Sequence, residues 1–323
     1  MSKKIGVVIE FLNDHYEKVL TEAAQKYGYE IEFFPSSAAA VEGAGECEIL
    51  YGHCSHKVVQ AAKDLKWFCC CWAGVDRFCR PGIFNDENCL LTNSSGAYGT
   101  TISEHLIMVS LMLLRRQMEY TDMIREGGWG VLKGGIRSLH GSRITVLGTG
   151  DIGTEFARRA KAFHPACIKG VRRSPKAADI AFDAVTTFDN LDEVLPDTDL
   201  LVMALPSTPE TEGILSRERI ALLPETAMVI NVGRGTAVDQ EALAEALNND
   251  KLAAAALDVV VPEPLPADHF LRSTKNLLLT PHVAGNMTLR YTCDRSVEMF
   301  LEDLENYCAG KPLKHLVDRK KGY

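Results

Sequence analysis

Short apolar runs alternate with polar, helix-forming segments along the first hundred residues. Five of these runs predict strands: KIGVVIE at 4–10, EIEFF at 30–34, CEILYGH at 47–53, WFCCCWAG at 67–74 and NCLLTN at 88–93. Asn13 is placed to cap a helix after the first run, and HKVVQAAKDL at 56–65 predicts a further helix. Because strands alternate with helices, we expect a parallel sheet that is covered on both faces.

A longer amphipathic segment follows, and a second alternating series begins after it. Apolar side chains at helical spacing over residues 101–126 predict one long helix that ends before the glycine-rich GGWG. Further strands are predicted over 144–148, 167–171, 199–205, 227–233, 253–260 and 276–280. Further helices are predicted over 152–163, near Leu191, and over 217–223, 240–249 and 289–308. The pattern therefore predicts two α/β domains.

Composition and charge narrow the classes of function. The chain has 323 residues, of which 46% are hydrophobic, and its formal net charge is -8. This length suffices for two sizeable cores, whereas a nucleic-acid-binding protein would usually show a basic excess. The longest apolar run, LIMVSLMLL at 106–114, is too short to span a bilayer. We therefore expect neither a nucleic acid nor a membrane as a partner.

The cysteines favour a reducing compartment. The opening segment MSKKIGVVIE runs directly into a predicted strand and lacks the pattern of a signal peptide, so a cytoplasmic protein with reduced thiols is expected. Cys69, Cys70 and Cys71 lie in one predicted strand, where successive side chains point to opposite faces. Three such thiols cannot chelate one ion, and we expect them to be buried as small apolar side chains.

Glycines recur in the spacing of a dinucleotide-binding fingerprint. The segment ITVLGTGDIGTEFARRA places Gly148, Gly150 and Gly153 in G-x-G-x-x-G order between a predicted strand and a predicted helix. The first glycine permits the tight turn, the second lets the backbone approach a pyrophosphate, and the third lets the helix pack on the strand. The helix N-terminus offers free N–H groups to the phosphates. Because both flanking elements are present, we favour a bound dinucleotide over a plain glycine-rich turn.

The strand that follows this helix ends in GVRRSP, where an NAD-dependent enzyme usually carries an acid that binds the ribose 2′-hydroxyl. This chain instead has Arg172, Arg173 and Ser174. Two guanidinium groups and a hydroxyl suit a 2′-phosphate, although two solvated surface arginines are the alternative. We therefore expect NADP as the preferred cofactor, with use of NAD as well left open.

Several residues with acid–base or anion-binding chemistry follow predicted strands of the second series. Arg234 stands in NVGRG, Asp258 and Glu263 in LDVVVPEP, and His282 in TPHVAG. Because ligands of such sheets bind outside the carboxyl ends of the strands, these side chains are expected to converge. Taken alone, His282 could be a structural histidine, Arg234 could cap a loop, and Glu263 could be a surface acid.

A metal site is poorly supported by the positions of the histidines and cysteines. No H-x-x-x-H or C-x-x-C pair accompanies His282. His53 and His56 form a weak candidate pair, for which a solvated loop is the favoured interpretation.

Seven motifs, in their order along the chain, resemble those of the D-2-hydroxyacid dehydrogenases, a family that includes glyoxylate and hydroxypyruvate reductases. They are LKWFCCCWAGVD, SEHLIMVSLMLLRR, GTGDIG, ALPSTPET, NVGRG, DVVVPEP and TPHVAG. The resemblance covers nearly the whole chain and implies an α/β fold of two Rossmann-like lobes. It implies a flavodoxin-like substrate-binding domain from residues 1–99 and 290–323, and a doubly wound NAD(P)-binding domain from residues 100–289. It also implies a homodimer formed through the nucleotide-binding lobe and its long helix, although packing within one chain explains the apolar stripe of that helix equally well.

The resemblance assigns roles to individual residues. It implies that Arg234, Glu263 and His282 are catalytic and that Asp258 holds the nicotinamide carboxamide. The loop Ala73-Gly74-Val75 resembles the family loop whose backbone amides bind the substrate carboxylate. Further cofactor contacts are expected from Asp151, Ile152, Leu205, Pro206, Ser207, Thr211, Val232, Gly233, His282 and Gly285.

These residue types fit the reduction of a small 2-oxo acid, such as glyoxylate or hydroxypyruvate, to the D-2-hydroxy acid. Histidine can deliver a proton to the carbonyl oxygen near neutral pH. A carboxylate such as that of Glu263 would favour the imidazolium and orient it. Arg234 can bind the substrate carboxylate through two parallel hydrogen bonds.

Two other classes within the same fold are less consistent with the sequence, and one further alternative stays open. A formate dehydrogenase would carry glutamine in place of Glu263, and a long phosphoglycerate dehydrogenase would have an additional domain after the last helix. The contrasting hypothesis is a non-catalytic, nucleotide-sensing interaction protein like the corepressors of this fold, which keep the site.

Overall fold

The computed structural model describes residues 3–175 and 179–322. The chain divides into two compact units, one formed by the residues up to Tyr98 together with those from Asn286 onward, and the other by Gly99–Gly285. Residues 1, 2, 176–178 and 323, which the predicted domains include, lie outside the described residues.

The first unit is built around a parallel sheet. Its chain passes through β1 (Lys3–Val8), α1 (Asp14–Lys26), β2 (Tyr29–Phe33), α2 (Ser37–Gly43), β3 (Cys47–Gly52), α3 (His56–Ala61), β4 (Trp67–Cys70) and β5 (Leu90–Asn93). Over the described residues, five parallel strands pair in the order β2-β1-β3-β4-β5. This is the flavodoxin-like strand order. Asn13 caps α1 as expected, since its Oδ1 accepts a hydrogen bond from the Tyr16 backbone at 3.0 Å.

The consecutive cysteines of the first unit occupy opposite faces of its sheet. Cys70 packs in the apolar core on one side, whereas Cys69 and Cys71 pack in the core on the other. All ten cysteines are free. Burial raises the pKa of Cys70 to about 12, so its thiol stays protonated and unreactive at neutral pH. These side chains therefore behave as small apolar residues of the core.

The second unit contains a larger parallel sheet. Its elements are α4 (Gly99–Leu114), α5 (Gln117–Arg125), β6 (Arg143–Leu147), α6 (Asp151–Ala160), β7 (Cys167–Arg172), β8 (Ala184–Thr187), α7 (Leu191–Val194), β9 (Leu200–Met203), α8 (Arg217–Leu222), β10 (Met228–Asn231), α9 (Gln240–Asn248), β11 (Ala254–Leu257) and β12 (Leu277–Leu279). In the part of the chain that is described, seven strands pair in the order β12-β11-β10-β9-β6-β7-β8. The helix α10 (Arg290–Cys308) belongs to the first unit.

The order of the seven strands defines a Rossmann fold. Starting from β8, the strands follow the classic 3-2-1-4-5-6 arrangement with one strand added beyond it, and every pair is parallel. The direction of chain progress reverses between β6 and β9, which makes the end of β6 the topological switch point where ligands bind. The predicted fold class, α/β with two Rossmann-like sheets, is confirmed.

The prediction of one continuous helix over residues 101–126 is wrong, because the helix breaks between α4 and α5. Arg116 adopts a left-handed conformation with φ of 53° at the break. Its guanidinium group binds Glu119 through Nε at 2.7 Å and also the Lys133 carbonyl. Since arginine is a good helix former, apolar periodicity alone could not reveal a break that depends on these contacts.

Among the described helices, none combines the length and the apolar character needed to cross a bilayer.

Candidate active site

Three of the predicted site residues follow neighbouring strands of the seven-stranded sheet. Arg234 lies just beyond β10, Asp258 directly follows β11, and His282 lies just beyond β12. These strands are adjacent and parallel, so their carboxyl ends lie at one edge, about 5 Å apart from strand to strand. Tertiary structure therefore gathers residues from separate motifs at the ligand-binding edge of the sheet.

His282 and Glu263 form a hydrogen-bonded pair. The His282 Nδ1 lies 2.8 Å from the Glu263 Oε2. The other carboxylate oxygen of Glu263, Oε1, accepts a hydrogen bond from the Val260 backbone at 2.9 Å. A carboxylate at Nδ1 places the ring proton there and leaves Nε2 to exchange a proton with a ligand. The His282 side chain is 52% exposed, so Nε2 is not sealed in the core of this unit.

Asp258 holds the loop that presents His282. Its buried carboxylate accepts hydrogen bonds from the Thr280 hydroxyl at 2.6 Å, the Val283 backbone at 2.9 Å and the Ala284 backbone at 3.0 Å. The Asp258 carbonyl also accepts from the His282 backbone at 2.8 Å. His282 itself has a left-handed φ of 55°, which costs free energy unless the surroundings enforce it. The Asp258 contacts supply that restraint, a role that the sequence did not indicate.

The loop that carries Arg234 is fixed by a buried asparagine that sequence reasoning missed. The Asn231 side chain accepts from the Gly233 backbone at 3.0 Å and donates to the Arg234 carbonyl at 2.8 Å. A Cβ on Gly233 would lie 2.5 Å from the Leu205 carbonyl oxygen, so only glycine permits the two strand ends to approach this closely. The Arg234 guanidinium donates through Nη1 to the Gly233 carbonyl at 2.7 Å.

The loop that carries Glu263 has a second missed support in Gln240. The Gln240 Nε2 donates to the Val261 carbonyl at 2.7 Å, and its Oε1 accepts from the Val261 backbone at 2.9 Å. This pair of bonds fixes the backbone two residues before Glu263. Gln240 is the first residue of α9, a position with no sequence signal beyond a plausible helix start.

The three fingerprint glycines occupy positions that a dinucleotide requires. Gly148 has a φ of 101°, and a Cβ there would lie 2.6 Å from the Ala204 carbonyl oxygen. A Cβ on Gly153 would overlap the Gly148 carbonyl. Gly150 is the N-cap of α6 without a side-chain cap, and a Cβ there would meet only open space. The N-terminus of α6 is thus uncapped and accessible, as pyrophosphate binding demands.

Two buried polar atoms beside this turn support the same ligand. Within the described residues, the Thr149 Oγ1 and the Arg172 Nε are buried without a hydrogen-bond partner. Buried donors and acceptors are normally paired, so these two atoms are suited to a ligand that bonds to them. Arg172 ends β7, next to the fingerprint strand, whereas Arg173 and Ser174 are exposed. The residues fit a phosphate-bearing dinucleotide, and Thr149 is a candidate contact that the sequence reasoning missed.

Asp151, a predicted cofactor contact, directs its carboxylate toward another helix. The carboxylate accepts a hydrogen bond from the Gly99 backbone at the start of α4. Burial raises the pKa of Asp151, while this hydrogen bond opposes the rise. Its side chain therefore links α6 to α4, so any contact of Asp151 with the cofactor falls to its backbone N–H, next to the half-buried Ile152.

The remaining predicted cofactor residues lie at the ends of β9, β10 and β12. Leu205 and Val232 are buried. Thr211 is also buried, and its hydroxyl donates to the Pro206 carbonyl at 2.7 Å and accepts from the Thr208 backbone at 2.9 Å. Thr211 thereby holds the turn that contains Ser207. Gly285 is half-buried and closes the second unit.

The loop Ala73-Gly74-Val75 belongs to the first unit. The Asn93 side chain donates to the Ala73 carbonyl at 2.6 Å, and Val75 is buried at the start of a 3-10 turn over Asp76–Phe78. The interpretation of His53 as part of a solvated loop is wrong, because His53 is only 8% exposed. It stacks on Trp72 at 4.5 Å, which a sequence pattern could not show.

The fold and the site define an NAD(P)-dependent dehydrogenase. The sequence model of the D-isomer specific 2-hydroxyacid dehydrogenase NAD-binding domain matches residues 107–284. The glyoxylate/hydroxypyruvate reductase B of Pectobacterium atrosepticum is 31% identical over 270 residues, which cover 79% of this chain and 81% of that protein. The chain belongs to the D-isomer-specific 2-hydroxyacid dehydrogenase family.

Solved structures of the family show the same fold over the full length. A D-isomer specific 2-hydroxyacid dehydrogenase family protein from Aeromonas salmonicida is 30% identical, with a TM-score of 0.86 that covers 99% of this chain and 100% of that one. A family member from Xanthobacter autotrophicus, solved in complex with NADPH and MES, is 26% identical, with a TM-score of 0.83 and full coverage of both chains.

Proposed function

We propose that this enzyme reduces a small 2-oxo acid, such as glyoxylate or hydroxypyruvate, to the D-2-hydroxy acid. The observation that carries the proposal is the 2.8 Å hydrogen bond between His282 and Glu263 at the ligand-binding edge of the Rossmann sheet. The reductase activity of the Pectobacterium atrosepticum relative supports the same substrate class.

The site residues have distinct roles in this proposal. A bound reduced nicotinamide supplies the hydride that the carbonyl carbon receives. His282 donates the proton from Nε2 to the carbonyl oxygen, which becomes the hydroxyl of the product. Glu263 stabilises the imidazolium before transfer and orients the ring. Arg234 binds the substrate carboxylate through paired N–H groups, and the backbone of Ala73, Gly74 and Val75 is a further carboxylate-binding element.

A panel of 2-oxo acids tested with both cofactors examines this function. We expect glyoxylate or hydroxypyruvate to cause a steady loss of NADPH absorbance. Tight cofactor binding without turnover of any 2-oxo acid would instead favour the nucleotide-sensing alternative.

We also propose that NADP is the preferred cofactor. The buried Nε of Arg172, which has no hydrogen-bond partner within residues 3–175 and 179–322, supports this preference, because a guanidinium group at the end of β7 suits a 2′-phosphate. Arg173 and Ser174 follow it and offer a second charge and a hydroxyl.

The ten free cysteines agree with a cytoplasmic location, where thiols stay reduced.

We further propose that the enzyme is a homodimer that associates through the arm formed by α4, α5 and the loop after them. Large apolar side chains are exposed along this arm: Met108 at 47%, Ile124 at 51%, Trp129 at 93%, Val131 at 87% and Ile136 at 48%. Clustered exposure of this kind is typical of protein–protein interfaces.

Charges placed on this arm are expected to dissociate the dimer. The double variant Trp129→Asp, Val131→Asp should sediment as a monomer at concentrations where the wild type is a dimer, since two carboxylates would be buried unpaired. Ile180→Asp is the matched control, because Ile180 is 90% exposed in the same unit but outside the arm. A monomeric wild type, or equal dissociation by the control, would contradict this mode of association.

A further inference from the structure

A cluster of aromatic and basic side chains in the first unit is not used by the proposed chemistry. The rings of His53 and Trp72 stack with centroids 4.5 Å apart and 30° between their planes. The Arg77 guanidinium carbon lies 4.3 Å from the Trp72 ring centroid and 4.8 Å from that of Phe78. We call His53, Trp72 and Arg77 the Trp72 cluster.

The polar atoms of this cluster are buried without partners. Among the described residues, both ring nitrogens of His53 and the Nε and Nη2 of Arg77 are shielded from solvent and make no hydrogen bond. His53 is 8% exposed, and burial lowers its pKa, which Arg77 lowers further and Glu10 opposes. Buried donors left unpaired are costly, so a ligand that accepts hydrogen bonds from these atoms would be favoured here.

The two free nitrogens of Arg77 specify the chemistry of that group. Nε and Nη2 point their N–H groups to the same side of the planar guanidinium, as a parallel pair of donors. Such a pair matches two oxygens of a carboxylate or a phosphate. Stacking on Trp72 and Phe78 fixes the plane of the guanidinium without consuming these donors. His53, neutral at physiological pH, adds one further donor.

The position of the cluster connects it with the substrate. Arg77 lies in the 3-10 turn Asp76–Phe78, whose N-cap is Val75 of the proposed carboxylate-binding loop. Trp72 directly precedes that loop. A substrate held by the backbone of residues 73–75 would therefore lie near this turn of the same unit.

We propose that the Trp72 cluster binds a second anionic oxygen group of the substrate, a distal carboxylate or phosphate, so that the preferred substrates are 2-oxo acids with an anionic tail. This inference rests on the proposed 2-oxo acid reduction and names its substrate class. Arg77 is the specificity-determining residue, and His53 supports it.

Steady-state kinetics of Arg77→Met on three kinds of substrate test this inference. Oxaloacetate and 2-oxoglutarate carry a distal carboxylate, phosphohydroxypyruvate carries a phosphate, and hydroxypyruvate carries no anionic tail. We expect kcat/KM to fall about 10- to 100-fold for a substrate with the matching tail, as for loss of a charged hydrogen-bonded pair. The kcat/KM for hydroxypyruvate should change less than about 3-fold. The substrate whose kcat/KM falls shows whether the bound group is a carboxylate or a phosphate.

Two further variants keep the result interpretable. Arg80→Met removes the same charge from an exposed side chain of the same loop and should leave every substrate unchanged. Arg77→Lys keeps the charge without the paired donors and should recover only part of the lost kcat/KM. Unaltered thermal unfolding of the Arg77 variants shows that the fold is retained.

The outcomes separate this inference from the proposed function. Equal losses for all substrates, or none for any, would overturn the inference while 2-oxo acid reduction stands. If the wild type reduced no 2-oxo acid, calorimetric titration with succinate would still show whether the Trp72 cluster binds an anion. Binding weakened at least about 10-fold by Arg77→Met supports an anion subsite, and unchanged or absent binding rejects it.

Discussion

Replacement of His282 by alanine is expected to remove most turnover while leaving cofactor affinity nearly intact. The imidazole is the proton donor of the proposed reaction, and a positioned general acid typically contributes about 10²- to 10⁴-fold in rate. The pyrophosphate of the cofactor is expected to bind instead at the turn Gly148–Gly153, which follows β6 and is separate from the His282 loop after β12. We therefore expect kcat to fall by about this factor, measured as NADPH oxidation, with the Kd for NADPH changed little.

A second substitution separates chemistry from backbone strain. Because His282 has a left-handed φ of 55°, His282→Asn keeps a residue type that tolerates this conformation while removing the proton donor. It should be as inactive as His282→Ala. His140→Ala, an exposed histidine of the same unit, is the control and should be fully active. A near-normal kcat for either His282 variant would show that another group delivers the proton.

Arg172→Ala should weaken NADPH far more than NADH. The Nε of Arg172 is buried and without a partner among the described residues, so a 2′-phosphate would complete its hydrogen bonding. Loss of a charge-assisted contact in such a place is expected to raise the Kd for NADPH by about 100-fold, and that for NADH by less than about 3-fold. Fluorescence titration of each cofactor measures both constants.

The control for this change is Arg217→Ala, which removes one positive charge from an exposed ion pair with Glu245 in the same unit. It should affect neither cofactor. If Arg172→Ala weakened the binding of NADPH and NADH equally, recognition of the 2′-phosphate by Arg172 would be contradicted. Arg172 would then contact a group that both cofactors share.

The order of elements, the glycine turn and the contact between His282 and Glu263 could be predicted from the sequence. Apolar runs of strand length with helical segments between them indicate a parallel α/β sheet. Gly148 and Gly153 have no room for a side chain, so their spacing directly reflects the turn that they form. His282 and Glu263 could be paired in advance because the family resemblance implies both residues and a carboxylate favours the imidazolium.

Other features depend on contacts between distant segments and left no local signal. Asn231 and Gln240 position the loops of Arg234 and Glu263 through side-chain to backbone hydrogen bonds, which no spacing rule identifies. The edge strand β8 is partly exposed and lacks the long apolar run that revealed the equally short buried strands β9, β10 and β11. The burial of His53, which follows β3, depends on stacking with Trp72, which lies two residues beyond the end of β4.

Asp258 has a structural role that is compatible with its expected contact with the cofactor. The family resemblance assigns it to the cofactor, while its carboxylate accepts three hydrogen bonds that hold the loop of His282. A carboxylate has about four acceptor positions, so one remains for a ligand group such as an amide. Restraint of a strained catalytic loop and contact with the cofactor are therefore compatible roles.

Identification of the product formed from hydroxypyruvate and NADPH tests the central claim most directly. Chiral chromatography of the completed reaction is expected to show one D-glycerate for each NADPH consumed. One hydride and the proton from His282 reduce one carbonyl, and the family is specific for the D isomer. Formation of L-glycerate, or consumption of NADPH without an equivalent of hydroxy acid, would contradict the proposed reaction.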